Sequence, residues 1–278
     1  MKLIKPSVEI IKQEEYDLNH IFKFIELAGR TCYKSEDKIT EDFAKEFVDR
    51  MIRSEHGAML EHGTVYLTIP NKNVSRSLLI YYCERNPYSK IVWTDTNVYI
   101  TTNYRAIIEN NWNDLLKYIT APTEFHVKRT TVKFICDRGV SHEFVRHRVF
   151  SFAQESTRYC NYTKDKFNNE LTFIIPCWIK DLEEGNYYAY CEYHNSKNDA
   201  SKRWFDSCMS SEFVYTNLIE EGWKPQEART ILPNSLKTEL IMTGFDSDWR
   251  HFFKLRYAPN AHPQAKELAD ILKDKFNK

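Results

Sequence analysis

The spacing of apolar residues shifts between a helical and a strand period along the chain, and each stretch predicts an element. Leu18 to Lys34 and Thr40 to Arg53 have helical spacing, with Thr40 as N-cap, Glu41 and Asp42 in the first turn, and Phe43, Phe47 and Met51 along one face. Thr64 to Ile69 and Thr131 to Cys136 alternate as strands. Between them, residues near 70–130 form an inserted segment with a strand at Asn97 to Thr102 and a helix at Arg105 to Ile119. Further on, a helix is predicted over Gly139 to Phe150, a strand over Leu171 to Ile175 and a long amphipathic helix over Tyr187 to Glu221. A helix near Gln226, a strand at Leu236 to Thr243 and helices at Asp248 to Tyr257 and Pro263 to Phe276 close the chain.

This order predicts an α+β fold, mixed helices around a central, largely antiparallel sheet, in a single domain over residues 1–278. With 278 residues, 42% of them hydrophobic, the chain can bury a sizeable core. The 39 basic and 39 acidic residues balance, so any anion must be held by a local cluster rather than by a net field. That balance speaks against nucleic acid as a partner. Seven cysteines without a CxxC pair suit reduced thiols in the cytoplasm better than a disulfide framework or a zinc site. The start of the chain lacks a signal-like apolar run and no stretch is long enough to span a membrane, so a soluble cytoplasmic protein is expected. With only 7 glycines and neither GxGxxG nor GxxxxGK[ST], no Rossmann turn or P-loop is predicted.

The segment Glu143 to Tyr159, EFVRHRVFSFAQESTRY, carries the chemistry. Arg146, His147 and Arg148 are consecutive; on a helix they would point about 100° apart and could reach ligands on two sides. Their neighbours Phe144, Val145, Val149, Phe150 and Phe152 are apolar, a setting in which charges require partners such as a bound dianion. Ser156 and Arg158 add a hydroxyl and a guanidinium suited to phosphate or a planar carbonyl edge.

Arg146-His147-Arg148, seven residues and then Ser156 resembles the signature of the flavin-dependent thymidylate synthase family. The resemblance extends to His56, Glu61 and His62 in HGAMLEH, to Ala228-Arg229 with Ile231-Leu232-Pro233, and to Leu255-Arg256 with His262 and Gln264. It implies that family's fold and reaction: methylation of dUMP to dTMP with FAD as cofactor, NADPH and methylenetetrahydrofolate as co-substrates, and a homotetramer with sites shared between subunits. By position, Glu143, Arg146, Gln154, Glu155, Ser156, Thr157, Arg158, Arg229 and Arg256 would line the dUMP site, with Arg256 as the catalytic residue facing the uracil. His56, Glu61, Arg146, His147, Arg148, Val149, Gln154 and His251 would contact FAD.

The chain departs from the family at several positions. Glu143 replaces a frequent Gln, Ala153-Gln154 replaces a commoner Asn-Glu pair, and Thr243 to Ser247 lacks an Asn-x-Arg flavin contact. Asn103 and Arg105, inside the insertion, have that lost spacing.

Other candidates have plainer explanations. His62 is open between a structural and a ligand role. His142-Glu143 begins like HExxH, but the next histidine, His147, falls off the required helical face, so no metal is expected. Cys177 reads as a buried structural thiol; a pyrimidine methyltransferase using it as nucleophile is one alternative, and a nucleic-acid module built on the Arg/His segment is another. Tyr187, Tyr188, Tyr190 and Tyr193, with Trp204 and Phe205, read as core and subunit-contact residues.

Overall fold

The computed structural model describes residues 1–40, 43–73, 85–188 and 198–276. Strands β1 (Lys2–Ile4) and β2 (Ser7–Ile11) open the chain. Helix α1 (Leu18–Tyr33) begins where the Asp17 carboxylate accepts from the His20 amide, and ends where Lys34 turns left-handed, φ 47°. Helix α2 (Ala44–Arg53) starts later than the sequence predicts: Phe43 takes the cap position without a side-chain bond, so Thr40 does not cap it, and Glu41 and Asp42 lie outside the described residues. A short α3 (Gly57–Leu60) leads into β3 (Thr64–Pro70).

Strands β4 (Lys90–Trp93) and β5 (Asn97–Asn103) join β3 in an antiparallel sheet of order β3-β5-β4. The predicted helix over 105–119 is broken. Helix α4 (Tyr104–Glu109), capped by the Asn103 side chain, stops at Asn110; Asn111 is left-handed at φ 58°, and a 3-10 turn follows over Asn113–Tyr118. Asparagine tolerates that conformation, and the break lets Trp112 bury against α1, α2 and this sheet.

Strand β6 (Arg129–Asp137), helix α5 (Arg138–Phe144) and strand β7 (Ser151–Gln154) come next, followed by β8 (Thr172–Ile174) and β9 (Gly185–Asn186). Helix α6 (Asp199–Glu220) begins at an Asn198 cap rather than at Tyr187; Tyr187 and Tyr188 precede it, and Tyr190 and Tyr193 lie outside the described residues. Helix α7 (Pro225–Ala228), strand β10 (Lys237–Phe245) and helices α8 (Asp246–Arg256) and α9 (Pro263–Phe276) complete the chain.

The central sheet, β2-β6-β10-β7, is wholly antiparallel, as the sequence predicts. A second small sheet, β8-β1-β9, pairs β1 parallel to β8 and antiparallel to β9. One face of the central sheet, through Val8, Phe134, Leu240 and Met242, packs on Phe144 of α5, Trp249 and Phe252 of α8, and Leu268 and Leu272 of α9. Each such side chain contributes about 1.5–3 kcal/mol by leaving water. The other face, through Ala153 and Ile241, packs on Ala28 of α1 and Met59 of α3. Covered on both faces, β10 is buried along almost its whole length, polar Thr238, Glu239 and Thr243 included. Gly244 is required there: a β-carbon at that position would lie 2.5 Å from the Phe150 ring.

Candidate functional site

Two elements meet at the Arg/His segment. Asp137 caps α5 by accepting from the Val140 amide at 2.6 Å, and the helix ends at Phe144, not at Phe150 as its sequence predicts. Arg146, His147 and Arg148 therefore lie in a turn between α5 and β7. The early end has a packing cause. Phe144 is buried against Phe134 and Phe252, and Phe150 packs edge-on to Trp249, so the chain must double back between those anchors. The turn sorts the three side chains without any helical spacing: His147 is buried while Arg146 and Arg148 are exposed. The expectation that the arginines sit within an apolar helix is thus corrected; Val149 beside them is 57% exposed. Among the described residues, the Arg146 and Arg148 side chains have no ion-pair partner.

Arg256, the last residue of α8, reaches this turn and is buried. Its Nε donates to His147 Nε2 at 3.0 Å, its Nη1 to Glu143 Oε2 at 3.1 Å, and its Nη2 to the Glu143 carbonyl. The guanidinium also lies over the Phe144 ring. Because His147 Nε2 accepts, the imidazole is neutral with its proton on Nδ1. Burial, the Arg256 charge and nearby His251 all favour that form, lowering the His147 pKa to about 4. His251 is exposed, its ring centroid 6.3 Å from that of His147. Each terminal nitrogen of Arg256 keeps one N–H beyond these bonds, so a positioned cation has donors left for a ligand.

The Ser156 loop is a second cluster. The Ser156 amide donates to the Cys32 carbonyl at the end of α1, and the Ser156 hydroxyl accepts from the Arg158 amide at 3.3 Å. Arg229 is exposed and donates to the Thr157 hydroxyl at 3.2 Å. Gln154 joins the clusters, donating to Ser141 of α5 at 2.8 Å and to Thr238 of β10 at 3.2 Å.

Glu155 is committed elsewhere. Only 1% exposed, its carboxylate accepts from the Tyr162 hydroxyl at 2.9 Å and from Lys237 at 2.8 Å. Lys237 also bonds Glu239, which pairs in turn with Lys34 and Lys133. Burial alone would raise the Glu239 carboxyl, but the three lysines outweigh it and hold that group well below the usual carboxylate range. The sequence reading missed this buried network. Its visible signal is Lys237 and Glu239, two apart on a strand and so on one face, with Lys133 opposite Glu239's neighbour Ile241 on the paired strand.

The remaining candidates separate from the turn. His56 is exposed and lines a cleft of about 630 Å³ with Arg30, Tyr33, Arg50 and Lys166. Glu61 accepts from Arg105 at 2.7 Å, and Arg105 also bonds Glu109. Asn103 is buried, its side-chain oxygen taken by the Ala106 amide. His62 is fully buried and bonded to Thr243 at 2.8 Å, a structural histidine whose pKa burial lowers to about 3. At Cys177, burial pushes the thiol pKa up, opposite to what a nucleophile needs. Among the described residues the one cluster with metal-ligand spacing, Glu15, Asp17 and His20, is at the surface and away from these groups.

Residues 108–278 match the family described as thymidylate synthase complementing protein. A flavin-dependent thymidylate synthase of Pyrococcus furiosus is 30% identical over 202 residues, covering 70% of this chain and 75% of its own length. That of Pyrococcus horikoshii is 32% identical over 134 residues, 48% of each chain, so that alignment spans about half of the relative. That of Corynebacterium aurimucosum is 22% identical over 262 residues, 88% of this chain and 71% of its own. A solved structure of the UMP/dUMP methylase PolB from Streptomyces cacaoi, bound with 5-Br UMP, superposes with a TM-score of 0.45 at 14% identity, covering 99% of this chain and 91% of that one.

Proposed function

The chain belongs to the thymidylate synthase complementing protein family, and from that premise we propose that it is a flavin-dependent thymidylate synthase, reductively methylating dUMP to dTMP. Methylenetetrahydrofolate is the carbon donor and NADPH the reductant in this reading. The observation that carries it is Arg256, buried and fixed by Glu143 and a neutral His147 at the Arg/His turn. A cation already oriented before substrate arrives can stabilise negative charge on a uracil ring as C5 becomes nucleophilic, with no reorganisation during reaction.

The donor set fits a flavin nucleotide. Arg146 and Arg148 offer exposed guanidinium forks for phosphate oxygens, Val149 an apolar surface, and His251 and His56 exposed imidazoles. A flavin held by these residues would supply the redox chemistry. The chain's residues bind and orient. Ser156, Thr157, Arg158 and Arg229 form the phosphate end of the dUMP site, Gln154 ties that end to α5, and Arg256 faces the ring. Glu155 holds the loop in place rather than the phosphate, since its carboxylate is spent on Tyr162 and Lys237 and its amide on the Glu239 carbonyl. Glu61 reaches the flavin only if Arg105 yields or shares it.

The assembly is proposed as a cytoplasmic homotetramer with sites completed between subunits, and residues near 70–130 as an insertion in a single domain. Exposed Phe213 and Val214 on α6, and Trp223 beyond it, are apolar surface of the kind a subunit contact covers. No helix among the described residues is long and apolar enough to cross a membrane. Purified protein is expected to be yellow and to oxidise NADPH faster when dUMP is added. Colourless protein that takes up no FAD, or oxidation indifferent to dUMP, would count decisively against the reading.

A further inference from the structure

Arg256 and Glu143 form an asymmetric pair: the arginine side chain is 10% exposed and the carboxylate 36%. A guanidinium taken so far out of water needs a counter-charge. His147 cannot provide one, because it accepts from Arg256 as a neutral ring. Arg146 and Arg148 in the adjoining turn only add positive charge. Glu143 is the acid hydrogen-bonded to Arg256, through both its carboxylate and its own backbone carbonyl.

An ionised carboxylate has acceptors only and cannot hydrogen-bond a phosphate dianion or a uracil carbonyl. Glu143 therefore acts on the phosphate and on the uracil carbonyls through Arg256, which it already bonds, not by touching them. We propose that Glu143 is a positioning residue and the internal counter-charge of Arg256: it fixes the guanidinium in the empty site and, by cancelling part of its field, sets how tightly the site holds a nucleoside monophosphate. The proposal rests on the dUMP reading above.

Glu143→Gln keeps an oxygen acceptor for Nη1 and removes the charge. In the flavin-loaded enzyme, dUMP measured by isothermal titration is expected to bind about fivefold tighter than to wild type, with a steeper salt dependence. Glu143→Asp, which keeps the charge, is expected to return dUMP affinity to near the wild-type value. Glu143→Ala removes charge and acceptor together and lowers kcat about tenfold as the guanidinium loses its anchor. In an Arg256→Gln background the gain from Glu143→Gln disappears. Affinity in Glu143→Gln equal to or weaker than wild type, with flavin absorbance intact, overturns the assignment. A gain that persists without Arg256 does so too, because the carboxylate would then repel the nucleotide directly. Wild-type holoenzyme that binds no dUMP ends the functional reading and this inference with it, whereas wild-type binding without the Glu143→Gln gain ends the inference alone.

Discussion

Arg256 combines three properties seldom found in one arginine: burial, a neutral imidazole acceptor and an aromatic face beneath it. A flexible surface arginine would have to be ordered at each turnover, whereas this one is ordered in advance. Arg256→Ala is accordingly expected to lower kcat for dTMP formation by about a hundredfold or more, the loss typical of removing one preorganised charge donor. Flavin absorbance should persist in that variant. Lost turnover accompanied by lost flavin would point to a folding role for the arginine, and unchanged turnover would remove it from the reaction.

At the scale of elements, the site depends on how β10 and β7 are held together beneath the Ser156 loop. Lys237 of β10 bridges Glu155, just past β7, to Glu239, and Lys34 at the left-handed end of α1 draws the helix onto the same acid. Such a network contributes little if replaced wholesale by apolar groups, but losing one member leaves buried charges unpaired. Lys237→Met, which takes from buried Glu155 its lysine partner while Glu239 keeps Lys34 and Lys133, is expected to cost about 3–5 kcal/mol in urea unfolding. A loss below about 1 kcal/mol would mean that water or the remaining lysines compensate the acids. The same contacts explain a reading the sequence could not make. Glu155 falls among motif residues and resembles a ligand by position, yet its carboxylate faces inward.

For the whole molecule, the buried neutral histidines set the response to acid. The pKa of His147 is lowered to about 4 from 6.5, chiefly by burial and then by Arg256, and that of His62 to about 3 from the same value, again chiefly by burial. Below pH 6.5 the unfolded chain takes up protons that the fold refuses, so stability falls as pH drops through that window and is full above it. Glu239, with its depressed carboxyl, adds a further loss below about pH 4.5, where the unfolded acid gains a proton first. The urea midpoint is expected to decline between pH 7 and 4.5, and less steeply in His62→Gln. A midpoint that is flat over that range would mean these imidazoles titrate normally in the fold.

The sequence by itself determined much of this. Alternation and helical period located α1, β3, β5, β6, β10, α8 and α9, because packing against the core fixes where apolar residues recur in each, on one face of the helices and along nearly the whole of β3, β5 and β10. The Arg-His-Arg and Ser156 spacing pointed to the family, since charged and hydroxyl side chains at fixed intervals can be read directly from the chain. Only the tertiary structure decided where α5 ends, that His147 turns inward while its arginine neighbours turn out, that Glu155 pairs with Lys237, and that Glu143 faces Arg256 from 113 residues away. The physical reason is common to all four. Each is fixed by contacts between elements distant in sequence, Phe144 with Phe252 or strand with strand, and local propensity carries no record of which distant surface will arrive to meet it.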